Sequence, residues 1–151
     1  MRLAIMLGLV ALMTGAPAIA DEEDLARLAA ARALWQAAQN GDYQFRYQKY
    51  CDCDRNEPKV TVVTVSNGVI EDVHHLFAGS ENEVPAREGS LAEYWTMDEL
   101  FDKLEAAYVR EVTVRVNFDE RFGFPSSMYI DYLADRVGDE TDLRRIGFEA
   151  R

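Results

Sequence analysis

Three stretches of the chain alternate apolar and polar residues with a period of two, and this limits the fold more than any other feature. Tyr43, Phe45 and Tyr47 alternate with Gln44, Arg46 and Gln48; Val112, Val114, Val116 and Phe118 alternate with Thr113, Arg115 and Asn117; Met128, Ile130 and Tyr132 follow the same period. Successive side chains of a strand point to opposite faces, so each stretch reads as a strand with one face on a core. A fourth segment, Val60 to Val65, is β-branched and runs into Ser66-Asn67-Gly68 before resuming at Val69-Ile70. Asn and Gly both accept positive φ, which predicts a tight hairpin there. Alternation slips between Val62 and Val63, which leaves either a bulge or a strand buried on both faces.

Two segments carry the helical period instead. Leu25, Leu28, Ala31, Trp35 and Ala38 recur at three- and four-residue steps within residues 22–40, and Asn40-Gly41 ends the run. Thr96 and Glu99 have the spacing of a capping box, and Trp95 and Leu100 that of a hydrophobic staple. Met97, Leu100, Phe101, Leu104 and Tyr108 then form one apolar stripe. Residues 78–95, with Gly79, Ser80, Asn82, Pro85, Gly89 and Ser90, read as a long polar loop. The acidic tail leaves open a short strand near Arg145 to Phe148. Most links are hairpins and one is a long crossover, so the expected fold is α+β: an antiparallel sheet of about five strands with helices packed on one face.

Residues 1–20 are expected to be a signal peptide and residues 21–151 a single α+β domain. Arg2, the apolar run Leu3 to Met13, Pro17, and small residues at Ala18 and Ala20 are the parts of a secretory leader, with cleavage expected after Ala20. As a helix that run would extend only about 16 Å, roughly half a bilayer core, so stable membrane insertion after cleavage is not expected. A periplasmic or secreted location follows. The net charge of −11 repels nucleic acid, and Arg144-Arg145 is the only adjacent basic pair.

Cys51 and Cys53, the only cysteines, are expected to form a disulfide in an oxidising compartment. On a regular strand their Cα atoms would lie near the upper limit of about 6.8 Å, so closure requires a local turn. A thiol-disulfide redox protein using Cys51 and Cys53 is an alternative reading, but Asp52 and Asp54 would raise the thiol pKa values rather than lower them. A metal-binding envelope protein is another. Adjacent strand residues His74 and His75 point to opposite faces, so at most one could join the thiols, and no metal site is assigned. The Asp135 to Asp142 tail lacks the register of a calcium loop. Nothing calls for a cofactor. Asp119 and Asp131 flank the Phe122-Gly123-Phe124-Pro125 turn, and two carboxylates in a hairpin suit turn and solvent positions better than acid/base catalysis. No catalytic residue is assigned.

Several motifs occur in a fixed order. These are the Tyr/Phe strand ending in Cys51-Asp52-Cys53, the hairpin with Asn67-Gly68-Val69, the helix start Trp95-Thr96-Met97-Asp98-Glu99-Leu100-Phe101, and Asn117-Phe118-Asp119 before Phe122-Gly123-Phe124-Pro125-Ser126 and Asp131. Over about residues 35–148 this resembles a family of small exported bacterial proteins, many of them lipoproteins, known as a domain of unknown function. The chain departs from it in lacking a lipidation cysteine and in having Phe124 where Tyr is expected. The resemblance implies fold and export, and no activity or cofactor. The leading expectation is a non-enzymatic domain that binds an unidentified protein or small ligand through the 78–95 loop and the turn, with Phe122, Phe124, Asp119 and Asp131 as candidate binding residues.

Overall fold

The computed structural model describes residues 22–51 and 58–151. The elements run α1 (Glu22–Ala38), β1 (Tyr43–Tyr50), β2 (Val60–Ser66), β3 (Val69–Leu76), β4 (Val84–Pro85), a 3-10 turn (Leu91–Glu93), α2 (Met97–Val109), β5 (Thr113–Phe118), β6 (Pro125–Asp131) and β7 (Thr141–Ala150). The proposed leader, and Cys53 with it the proposed sulfur bridge, lie outside the described residues.

Among the described residues the sheet has seven strands, in the order β4-β3-β2-β1-β7-β6-β5, and every pairing is antiparallel. Seven strands and two α-helices thus replace the expected sheet of about five strands with helices packed on one face. One extra strand, β4, is a two-residue edge inside the supposed loop, where Val84 pairs with His75 and Pro85 with His74. The other, β7, is the longest strand and joins the two halves of the sheet, pairing Tyr43 with Ala150 and Tyr50 with Asp142. Its alternation is broken because Arg145 and Ile146 together oppose the single residue Tyr47. Arg145 takes φ 52° at this bulge. Leu143 and Ile146 therefore reach the core at a spacing of three.

β2 is buried on both faces, and the bulge of its hairpin lies across from it, at Glu71 in β3. Asn67 at φ 51° and Gly68 at φ 75° make the turn. In α2 both halves of the Thr96/Glu99 capping box form, and the whole Met97 to Tyr108 stripe is buried. Tyr43 Oη accepts a further bond from Met97 N–H at 3.1 Å, tying this helix start to β1. In α1, Leu28, Ala31 and Trp35 are buried, whereas Leu25 is 38% exposed. Trp35 is the centre of the core. Its ring stands edge-on to Tyr43 and to Phe148, each at 5.0 Å.

Candidate binding cleft

The Phe-Gly-Phe-Pro turn is built to hold α1. Asp119 Oδ1 accepts bonds from Arg121 N–H at 3.0 Å and Phe122 N–H at 2.7 Å, and Gly123 N–H donates to Asp119 O at 2.9 Å. This closed turn presents Gly123, at φ 77°, directly to the helix. A Cβ there would lie 2.1 Å from Ala31 O and 2.7 Å from Leu34 Cβ, so only glycine permits the approach. Phe124 is buried beside Trp35 and Phe148, and half-buried Phe122 meets Phe148 at 5.4 Å.

The clasp leaves a hollow on its outer side. Arg27, Ala30, Ala31 and Leu34 of α1 form one wall, while Val116 to Glu120 and Gly123 form the other, around a volume of about 410 Å³. That is the size range of a small ligand site, and the walls are mostly apolar. Arg27 crosses the hollow: one Nη donates to Val116 O at 3.2 Å, and the guanidinium lies 5.9 Å from the Phe118 ring centroid. Asp119 and Glu120 supply carboxylates at the rim.

The four residues singled out in the sequence do not converge. Asp119 and Gly123 border the cleft, Phe124 is in the core, and Phe122 packs under the turn. Asp131 pairs with Thr113 at the far end of β6, six residues or about 20 Å from Pro125. The 78–95 segment is equally remote, because β4 and the turn's hairpin occupy opposite edges of the sheet.

A polar row across β1, β2 and β3 has no counterpart in the sequence reading. Tyr47 pairs with Thr61, and Thr61 with His75. Thr61 Oγ1 lies 3.3 Å from His75 Nδ1, and His75 Nε2 lies 2.8 Å from Tyr94 Oη. The row pins the end of the 3-10 turn to the sheet. Burial pushes the Tyr47 phenol up to about 12, against a smaller downward pull from its bond with Thr61. His74 turns to the other face, 3.3 Å from Asp72. Cys51 is exposed at the end of β1. No group of three or more His, Cys, Asp or Glu that could hold a metal ion occurs among the described residues. No helix among them is long and apolar enough to cross a membrane.

A family description, a family of unknown function (DUF6174), matches residues 27–149, which takes in both walls of the cleft and every strand except the last residue of β7. The chain belongs to this family. No curated protein and no solved structure matches the chain. In this DUF6174 domain the Phe122 to Pro125 motif holds the fold together, fixing α1 against the sheet and thereby shaping the hollow beside it.

Proposed function

We propose that this DUF6174 protein is an exported, non-enzymatic binding domain that receives an apolar group of its ligand in the cleft between α1 and β5. The observation that carries the reading is the cleft itself, about 410 Å³ with mostly apolar walls, held at fixed width by the Gly123 clasp. Export rests on the leader pattern of residues 1–20, and the same compartment would oxidise Cys51 and Cys53 to a structural clip at the end of β1.

Ala30 is exposed and lines the cleft, so Ala30→Trp fills it without entering the core. The neutral apolar dye N-phenylnaphthylamine is expected to fluoresce with the natural protein and lose that signal with Ala30→Trp, while the melting temperature stays within a few degrees. Undiminished dye binding by the variant would rule the cleft out.

A further inference from the structure

From the edge geometry of β5 we infer that the occupant is an extended peptide of a partner, which adds to the sheet as an eighth strand and places an apolar side chain in the cleft. The inference rests on the cleft being the binding site and names what enters it.

β5 ends the strand order, so it pairs with β6 on one side alone. In an antiparallel ladder the N–H and C=O of alternate residues point to the same side. Arg27 reaches Val116 O from outside the sheet, which shows that Val116 faces outward, and Val114 two residues earlier faces outward with it. Among the described residues, no hydrogen bond from outside the β5–β6 ladder reaches the backbone of Val114. A peptide strand supplies the alternating donors and acceptors that such an edge lacks.

The cleft lies along this edge, between it and α1. On a strand laid against β5, every second side chain would point toward Ala30 and Leu34, and the ones between would point to the sheet face that carries Arg115 and Asn117. An edge strand with an apolar groove between it and a helix reads both backbone and side chain, which a globular or compact ligand would not satisfy. Arg27 occupies the position of a peptide N–H on Val116 and would yield it on binding. The Asp119 and Glu120 rim and the overall charge of −11 favour lysine or arginine flanking the apolar residue. The opposite edge is unsuited to the same use. β4 is two residues long, one of them Pro85, which has no N–H to offer.

The test uses the fluorescently labelled peptide acetyl-KTVTLTVK-amide and the full chain. Val114→Pro removes an outward N–H while leaving the bonds to β6 in place, since proline is tolerated on an edge strand. Binding measured by anisotropy is expected to weaken roughly tenfold or more with Val114→Pro, while N-phenylnaphthylamine still binds the variant. A peptide N-methylated on alternate residues tests the same bonds on the unaltered protein, and it too is expected to lose binding. Equal affinity of the N-methylated and parent peptides, or no binding of the parent peptide, overturns strand addition. If the dye responds to Ala30→Trp but the peptide ignores Val114→Pro, the cleft stands and the peptide fails.

Discussion

Gly123 concentrates the logic of this protein in one hydrogen atom. Its position opposite the Ala31 carbonyl and its φ of 77° both exclude a Cβ, so Gly123→Ala must move α1 or the turn. The expected cost is on the order of 3 kcal/mol, read as a lower denaturation midpoint, with the dye signal of the cleft lost as well. A stability change below about 0.5 kcal/mol would show that the clasp is dispensable. Tyr47 gives a second test. Its phenol is raised from 10.0 to about 12 by burial, so the folded state holds the proton more tightly than the unfolded chain. That contribution is complete below about pH 10 and is lost as the pH climbs toward about 12. Tyr47→Phe should therefore flatten the loss of stability between about pH 10 and about pH 12 in urea titrations, and an unchanged slope would contradict it. Tyr43, Tyr108 and Tyr129, also raised with burial as the largest cause, contribute to the decline that remains. The sequence marked the Phe-Gly-Phe-Pro segment as a turn but could not say that it faced a helix some ninety residues earlier, because that contact is purely tertiary. Phe122 and Phe124, named in the sequence as candidate binding residues, pack inward for the same reason.

At the scale of elements, whatever local chemistry specified was readable in advance. The α2 start carried its own instructions in Thr96 and Glu99, and Thr96→Ala should cost about 1 kcal/mol and increase amide hydrogen exchange in the first turn of that helix. Unchanged exchange there would mean that Tyr43 and burial alone hold the helix start. Likewise the Asn67-Gly68 turn followed from two residues that tolerate positive φ. What sequence reading missed were the elements whose pattern is interrupted. Counting outward from that turn, a regular ladder pairs Thr61 with His74; the bulge at Glu71 moves the partner to His75, and with it the whole row to Tyr94. In β7 the extra residue at Arg145 breaks the two-residue period, so the strand that joins the sheet looked like a frayed tail.

For the whole molecule, the α+β class and antiparallel pairing were legible because hairpins are local, whereas strand count and order depend on β1 meeting β7. The leader reading belongs to this scale also. Expressed in a bacterial host, the protein is expected in the periplasm with Asp21 as its first residue by intact-mass measurement, and recovery of the uncleaved chain from the cytosol would refute it. The pairing of Tyr43 with Ala150 bears on the export proposed above. The first strand pairs with β2 soon after it is made, but its other partner, β7, follows only after β5 and β6, so the two halves of the sheet join late in synthesis. If the proposed leader directs export, a chain whose two half-sheets are still unjoined would be easier to pass through a channel in extended form than the finished sheet.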